Sequence, residues 1–342
     1  MKGLPPLREK VKYSVELLKK AERLAIAYDI ENGYFLAFSG GKDSQCLYHI
    51  AKIAGVKFKA HMNLTSVDPP EVIRFVRQEY PDVELIKPND SIFNIAVRKK
   101  ILPTMRIRWC CQEFKENAGA GKVTLIGIRH AESTKRSKRN EVEINSRKFS
   151  GTLEELDKYR EERAKKKYVR KAKSINITNA KGERILGCIA GKESLLISPI
   201  IHWTEDDVWE FLNTLEIKHC ELYDEGYKRI GCIGCPMSSL KQKMIENSRW
   251  SHVKRNWIKA IKAIRAGGVS QKVTCGGTSK RTLFYVRETF FSESSSSDRL
   301  TEEQREDIIA ENIYDWWISG KSYKKWYAAK ISQQEMNFKD EE

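Results

Sequence analysis

The feature that most constrains this fold is the hexapeptide Ser39-Gly40-Gly41-Lys42-Asp43-Ser44, which lies between a predicted strand and a predicted helix. The apolar, aromatic run 34–38 before it is typical of a buried parallel strand. Residues 45–54 after it predict a helix that ends at Gly55. Two glycines let backbone N–H groups approach an anion closely, and the start of a helix adds partial positive charge. The hexapeptide therefore predicts a phosphate-binding loop, although its spacing is not that of a Walker A loop.

Strands and helices alternate around this loop. Amphipathic periodicity predicts helices over 8–29 and 69–79, and short apolar runs predict strands at 56–62, 83–86 and 123–128. Strands joined through helices form right-handed crossovers, which gives an α/β fold with an open parallel sheet. Ligands of such sheets bind outside the carboxyl ends of the strands, where the loop and Gly127-Ile128-Arg129 both fall.

The rest of the chain suggests a division into parts. We expect an N-terminal helix over 1–30, a nucleotide-binding domain over 31–240 and a largely helical C-terminal region over 241–342. Residues 134–190 are polar and charged, and they are interpreted as a helical or irregular insertion. The segment 292–298, with four consecutive serines, predicts a disordered loop.

The positive charge is concentrated in that insertion. The chain has a formal net charge of +16, and residues 134–184 hold 17 Lys and Arg against 8 Asp and Glu, a net of 17 − 8 = +9. A solvated helical face is the plain explanation. The alternative is a surface for a polyanion, either DNA or RNA, since a small nucleotide needs only a few cations.

In the cytoplasmic setting that we expect for this chain, its eight cysteines indicate metal binding or thiol chemistry. No apolar run is long enough to cross a membrane, and the charged start differs from a secretory signal, so we expect a cytoplasmic protein without a membrane partner. The adjacent pair Cys110-Cys111 and the Cys232-Ile233-Gly234-Cys235 turn have unusual spacing. A C-x-x-C lets two thiolates converge on one metal, and the glycine keeps the turn tight.

Four ordered motifs resemble one superfamily. The hexapeptide resembles the PP-loop of the adenine nucleotide α-hydrolases, which include ATP pyrophosphatases, tRNA-thiolation enzymes and sulfonucleotide reductases. Three further segments, 127–136, 198–209 and 223–232, resemble elements of phosphoadenylylsulfate and adenylylsulfate reductases. The resemblance covers roughly residues 30–240, while the last hundred residues match nothing recognised.

The resemblance implies the roles of individual residues. The nucleotide, either ATP or an adenylylsulfate-type molecule with Mg²⁺ as a candidate companion ion, would bind at Ser39, Gly40, Gly41, Lys42, Asp43, Ser44, Gly127, Arg129 and Arg136. Catalysis would rest on Lys42, Asp43 and Arg129. Arginine suits this work because its planar fork binds oxyanions bidentately.

A metal cofactor is also implied. Adenylylsulfate reductases hold one [4Fe–4S] cluster through an adjacent cysteine pair and a C-x-x-C, which here correspond to Cys110, Cys111, Cys232 and Cys235. A tetrahedral zinc site with the same ligands is the metal alternative. Four thiols without metal are the remaining interpretation.

The sequence differs from the reductases in the motif that carries their nucleophilic cysteine. Those enzymes carry a reactive cysteine in a Glu-Cys-Gly-(Leu/Ile)-His tail, whereas the last cysteine here is Cys275, in Thr274-Cys275-Gly276-Gly277. The leading hypothesis is therefore an ATP pyrophosphatase or sulfurtransferase of nucleic-acid modification or defence, served by a sulfur-donor protein. A sulfonucleotide reductase with an atypical nucleophile is the first alternative, and a non-catalytic nucleotide-binding regulator is the second.

Overall fold

The computed structural model describes residues 5–116, 118–165, 176–178, 184–186, 193–267, 273–274, 280–281 and 300–339. The chain divides into two compact units. Unit 1 comprises Met1–Leu64, Pro69–Lys87 and Phe114–Gly231, and unit 2 comprises Thr65–Asp68, Pro88–Glu113 and Cys232–Glu342. The serine-rich segment 292–298, Cys188, Cys275 and much of the basic insertion lie outside the described residues.

Unit 1 is built on a seven-stranded sheet. The strands of this unit are β1 (Tyr34–Ala37), β2 (Phe58–Asn63), β3 (Glu84–Ile86), β4 (Val123–Leu125), β5 (Val142–Ile144), β6 (Ser150–Gly151), β7 (Asn176–Thr178), β8 (Arg184–Leu186) and β9 (Leu195–Ile197). The order in the sheet is β3-β2-β1-β4-β9-β5-β6, and the first five strands are parallel. The predicted α/β fold with a parallel sheet is confirmed for this part.

The far edge of the sheet differs from the prediction. Strand β5 pairs antiparallel with both β9 and β6, so the sheet is mixed. Both β5 and β6 come from the segment predicted to be helical or irregular, and that prediction is wrong for them. Val142 and Ile144 point into the core while the intervening Glu143 does not, so the strand signal was only three residues long. Strands β7 and β8 form a separate antiparallel pair.

The helices, in chain order, are α1 (Leu7–Tyr28), α2 (Lys42–Ala54), α3 (Pro70–Glu79), α4 (Ile92–Lys99), α5 (Trp109–Cys111), α6 (Leu153–Lys165), α7 (Glu205–Thr214), α8 (Leu240–Arg249), α9 (Ser251–Ala266), α10 (Glu302–Ser319) and α11 (Tyr323–Lys339). Helices α1 and α3 match the predicted helices 8–29 and 69–79 to within one residue, whereas α4 was not predicted. Short 3₁₀ turns lie at His130–Glu132 and Glu221–Tyr223, and a π-helical turn lies at Gln112–Glu116. None of the helices in the described residues combines the length and apolar character that a bilayer crossing requires.

Helix α7 of unit 1 is anchored at its first turn. Thr204 and Asp207 form a capping box, in which each side chain bonds the backbone N–H of the other residue. Asp207 also accepts from the buried ammonium of Lys10 on α1 at 2.5 Å. The start of α7 is therefore fixed to the body of unit 1.

Unit 2 is largely helical and has an aromatic core. The ring of Trp257 on α9 lies 4.9 Å from the rings of both Phe93 and Trp317. The indole N–H of Trp317 donates to the carbonyl of Pro103 at 2.6 Å. Strands β10 (Val273–Thr274) and β11 (Lys280–Arg281) form a short antiparallel pair. Helices α8 to α11 confirm the prediction of a largely helical C-terminal region.

Candidate functional site

The predicted phosphate-binding loop joins β1 to α2. Helix α2 begins at Lys42, three residues before the predicted start, with Gly41 as its N-cap in an extended conformation. Gly40 has a φ of +72°, and a Cβ there would lie 2.8 Å from Val72 Cγ1. Glycine is required at position 40 for both reasons. The early start places Lys42, Asp43 and Ser44 in the first helical turn, where backbone N–H groups have no partner within the helix.

The two serines of the loop bond each other. The Ser39 hydroxyl donates to Ser44 Oγ at 3.2 Å, and the Ser44 hydroxyl donates to the carbonyl of Gly41 at 2.8 Å. The Ser39 N–H also points at Ser44 Oγ, at 3.2 Å. These contacts hold the loop in a closed turn before any ligand binds.

Lys42 is buried among polar and aromatic groups. Its ammonium lies 3.1 Å from Glu205 Oε1 and donates to the carbonyl of Lys228 at 3.0 Å. The same ammonium stands 5.3 Å from the centre of the Tyr223 ring and 5.9 Å from that of Trp209. The backbone N–H of Lys42 donates to the Tyr223 hydroxyl at 3.0 Å. A cation desolvated in this way interacts strongly with any anion that reaches it.

Arg129 follows β4, the sheet neighbour of β1, and its guanidinium holds two carboxylates. Nε donates to Asp43 Oδ1 at 2.6 Å, and Nη2 donates to Glu205 Oε2 at 2.9 Å. Burial alone would lower the pKa of Arg129, but the two carboxylates outweigh it and raise that pKa. A Cβ on Gly127 would lie 3.1 Å from the carbonyl oxygen of Asp43, so glycine allows this close approach.

Arg136 is not brought to Lys42 or Arg129 by any described contact. It forms an ion pair with Glu132, four residues earlier in the sequence. Glu132 in turn accepts from the backbone N–H of Arg129 at 3.0 Å. A nucleotide-binding role for Arg136 therefore stays a prediction, and it would require the guanidinium to leave Glu132.

Sequence reasoning missed two residues of the site, Glu205 and Tyr223. Both lie in segments that resemble reductase elements, but a glutamate beside a helix cap and a tyrosine before a turn carry no distinctive signal of their own. Of the two tryptophans in the segment 198–209, Trp203 is buried at 1% exposure, whereas Trp209 is only half-buried, beside Lys42. The strand order explains why the residues of this site meet. Strands β1, β4 and β9 are parallel neighbours, so their carboxyl ends lie at one edge of the sheet.

All four candidate metal ligands belong to unit 2. Cys110 and Cys111 form the end of α5, and Cys232 and Cys235 bracket a turn in which Gly234 has a φ of +68°. Hydrogen bonding with Cys111, burial, and the charges of Cys111, Cys232 and Cys235 all raise the pKa of Cys110. The fold thus gathers thiols that are far apart in the sequence.

The Cys232–Cys235 turn is held from two directions. Ile233 donates its N–H to the carbonyl of Val67 at 2.7 Å, and Gly234 donates its N–H to Glu246 Oε2, also at 2.7 Å. Thr65 Oγ1 lies 3.5 Å from the sulfur of Cys232. Burial raises the pKa of Glu246, although the Gly234 N–H opposes this. A turn with these constraints is shaped before any metal binds.

Four cysteine thiols are the ligand type that a [4Fe–4S] cluster binds, and zinc binds them as well. Within the described parts of the chain, no three His, Cys, Asp or Glu side chains are arranged to hold a metal ion. Among the described residues, the buried indole N–H of Trp109, next to Cys110, has no acceptor.

The fold and the loop together define an α/β protein of the nucleotide-binding class, with its site at the carboxyl edge of a mainly parallel sheet. The sequence model of one family, described as phosphoadenosine phosphosulfate reductase domain, matches residues 33–238. Because this match covers more than half of the chain, the chain belongs to the phosphoadenosine phosphosulfate reductase domain family. The predicted resemblance is confirmed at this level, and the family is one of adenine-nucleotide-utilizing enzymes.

Individual relatives match shorter stretches. An adenosine 5'-phosphosulfate reductase of Oceanobacillus iheyensis is 39% identical over 59 residues, which is 17% of this chain and 25% of the reductase. An uncharacterised protein of Methanocaldococcus jannaschii is 24% identical over 228 residues, 66% of this chain and 47% of that protein. The crystal structure of a phosphoadenylyl-sulfate reductase from Candida auris, a phosphate complex, has 15% identity and a TM-score of 0.37, covering 66% of this chain and 93% of the other. The chain thus spans from a quarter to about half of the length of these two curated relatives.

Proposed function

We propose that this chain cleaves an adenine nucleotide at the loop 39–44, and that its substrate is ATP, from which it releases pyrophosphate. The observation that carries the proposal is the pair of buried cations, Lys42 and Arg129, beside the first turn of α2. Lys42 and Arg129 would stabilise the negative charge that develops on the departing pyrophosphate. Asp43 would hold the guanidinium of Arg129 in position, and Mg²⁺ would accompany the phosphates.

The remaining loop residues have supporting roles in this proposal. Gly40, Gly41 and Gly127 carry no side chain, so their backbone N–H groups would be accessible to phosphate oxygens. The hydroxyls of Ser39 and Ser44, which bond each other in the structure, would turn toward the ligand. Arg136 would join them after releasing Glu132.

The proposed reaction is sulfur insertion. An oxygen of the acceptor attacks the α-phosphorus of ATP, and pyrophosphate leaves with the electron pair of the broken P–O bond. A sulfur nucleophile, supplied by a sulfur-donor protein, then displaces AMP from the activated acceptor. The basic segment 134–190 supports a nucleic-acid acceptor, because neutralised phosphates contribute much of the affinity for DNA or RNA.

The cysteine group completes the proposal. Cys110, Cys111, Cys232 and Cys235 would hold one [4Fe–4S] cluster, which when bound would supply iron sites for sulfur. The prior shaping of the Cys232–Cys235 turn supports this assignment. Glu246 and the carbonyl of Val67 fix the backbone there, so that the two thiols need little reorganisation to bind metal.

A sulfonucleotide reductase is the second candidate. The observation that favours it is the 39% identity with an adenosine 5'-phosphosulfate reductase, although this extends over only 59 residues. In that reaction a thiolate attacks the sulfur of the sulfonucleotide, AMP or its 3'-phosphate leaves, and a second thiol reduces the S-sulfo adduct to release sulfite.

Product analysis tests the proposal. Anaerobically purified protein is incubated separately with ATP, adenylylsulfate and phosphoadenylylsulfate, with and without nucleic acid and a thiol reductant. We expect pyrophosphate from ATP, with a rate that rises when nucleic acid is added. Sulfite from either sulfonucleotide would establish the reductase instead, and binding without any product would indicate a regulatory protein.

A further inference from the structure

The Glu205 carboxylate bridges the two buried cations of the loop. One oxygen lies 3.1 Å from the Lys42 ammonium, and the other accepts from Arg129 Nη2 at 2.9 Å. The side chains of Lys42 and Arg129 are only 4% and 2% exposed, whereas that of Glu205 is 54% exposed. Solvent therefore meets the carboxylate, and the cations lie behind it.

The carboxylate is ionised at neutral pH. Burial would raise the pKa of Glu205, but hydrogen bonds and charges from Lys42 and Arg129 outweigh burial and lower it. A carboxylate with two oxygens on two cations has the charge and the geometry of a small oxyanion. It thus occupies the position where a phosphate would meet the same two side chains.

A second contact also occupies a group of the loop that could bind an anion. The backbone N–H of Lys42 has no partner within α2 because it lies in the first turn, and it donates to the Tyr223 hydroxyl at 3.0 Å. A phosphate at the loop would compete for this donor as well as for the two cations. In the ligand-free protein, the groups that bind an anion are therefore already engaged.

The carboxylate can leave without unfolding its helix. Glu205 is the first residue of α7, and the preceding Thr204 is fixed by the capping box with Asp207, which Lys10 holds in turn. Arg129 would keep its bond to Asp43 through Nε when Nη2 is released. Exchange of Glu205 for a ligand thus requires a change of side-chain rotamer in an exposed residue and no movement of the backbone.

We infer that Glu205 is an anionic latch, which occupies the oxyanion position of the loop in the free protein and is displaced by the pyrophosphate group of the nucleotide. The inference rests on the proposed function, because it takes the loop as the phosphate site. It makes Glu205 a specificity-determining residue, since only a ligand with more than one negative charge competes well with an intramolecular carboxylate. A neutral nucleoside would bind without opening the latch.

The test is calorimetric binding of inorganic pyrophosphate and of adenosine to the full chain, purified anaerobically. Glu205→Gln keeps the side-chain shape and removes the charge. Asp206→Asn, at an exposed position of the same helical turn, makes the same change of net charge outside the site. We expect Glu205→Gln to bind pyrophosphate about three- to tenfold more tightly than wild type, as the loss of partly exposed ion pairs implies. Asp206→Asn should match wild type, and adenosine should bind all three proteins equally.

Three results would overturn the latch. Equal or weaker pyrophosphate binding by Glu205→Gln, while wild type binds, would mean that Glu205 orients the cations and does not block them, and the proposed function would survive. If Asp206→Asn also binds pyrophosphate more tightly and by the same factor, the effect comes from the change in net charge and not from the position of Glu205. If neither wild type nor Glu205→Gln binds pyrophosphate, while both are folded, the latch and the phosphate site fail together.

Discussion

The Nε atom of Arg129 donates to Oδ1 of Asp43 at 2.6 Å, although Arg129 follows β4 and Asp43 lies in the first turn of α2. The second arm of the same guanidinium reaches Glu205. One planar side chain thus joins the loop after β1 to the start of α7. This geometry requires a fork with donors in two directions, which lysine lacks.

Arg129→Lys should therefore impair turnover while keeping the positive charge. A lysine can contact one carboxylate at a time, so the charge would no longer be fixed opposite the phosphates. We expect nucleotide turnover to fall about 10- to 100-fold, mainly in kcat. Arg139→Lys is the matched control, because Arg139 pairs with Glu143, four residues later in the sequence. Equal losses in both variants would remove the special role of Arg129.

The cysteine assignment predicts an iron content. Protein made anaerobically should be brown, with broad absorption near roughly 400 nm and about four irons per chain. Replacing Cys110, Cys111, Cys232 or Cys235 with Ser should lower iron content and thermal stability together. Cluster binding closes a loop of about 120 residues, so chelation should also lower the melting temperature.

Cys46→Ser is the control for these variants, since Cys46 lies buried on α2 of unit 1. It should leave the iron content unchanged. Colourless protein with one zinc per chain would reject the cluster and keep the site. Full iron occupancy in Cys111→Ser would show that the ligands are assigned wrongly.

Glu246 should stabilise the metal-binding turn through a single hydrogen bond. Glu246→Ala leaves the buried N–H of Gly234 without its acceptor, which should lower the free energy of unfolding by about 1–3 kcal/mol and speed the loss of iron to a chelator. Glu246→Gln keeps an acceptor oxygen and should retain iron as wild type does. An unaltered rate of iron loss in Glu246→Ala would contradict this account of the turn.

The stability of Glu246→Gln relative to wild type should also depend on pH. Because burial raises the pKa of Glu246 above its ordinary 4.5, the charged form destabilises the folded state at neutral pH. Glu246→Gln should therefore be at least as stable as wild type at pH 7. This advantage should disappear as the pH falls below about 4.5, where the carboxyl is protonated in both the folded and the unfolded protein. Chemical denaturation at several pH values measures it.

The sequence predicted four of the five parallel strands, β1 to β4, and the loop, because these depend on local signals. The fifth parallel strand, β9, was not predicted. An apolar strand, two glycines and a helix are readable over about twenty residues. The antiparallel strand β5 was not predicted, since its three residues carry too short an alternation to distinguish strand from loop. The early start of α2 was missed because Gly41 caps it without a side-chain hydrogen bond.

The ion pairs of the site lay beyond sequence reasoning. Arg129 could be chosen from a motif, but its contact with Glu205 depends on β4 and β9 being sheet neighbours. Glu205 and Asp206 look equivalent in the sequence. Only the fold shows that one of them faces Lys42 and that the other does not contact it in the described structure.

The basic insertion predicts salt-dependent binding of nucleic acid. Neutralising Lys165, Lys166 and Lys167 should weaken binding of DNA or RNA and flatten its salt dependence by roughly one unit for each lysine–phosphate ion pair that is removed. A matched variant neutralises three exposed lysines of α1, which are Lys12, Lys19 and Lys20. It should bind as wild type does. Binding by wild type that does not depend on salt would favour the reductase.

The central claim is that a nucleotide is cleaved at the loop 39–44, and Lys42 tests it most directly. We compare product release by wild type, Lys42→Ala and Lys52→Ala, with pyrophosphate measured from ATP and sulfite from adenylylsulfate. Lys52 is exposed near the other end of α2 and serves as the control. We predict that the rate of Lys42→Ala falls by about 10²–10³-fold, because an oriented cation at the developing charge is removed, whereas Lys52→Ala keeps the wild-type rate. Full turnover by a folded Lys42→Ala protein would contradict the account.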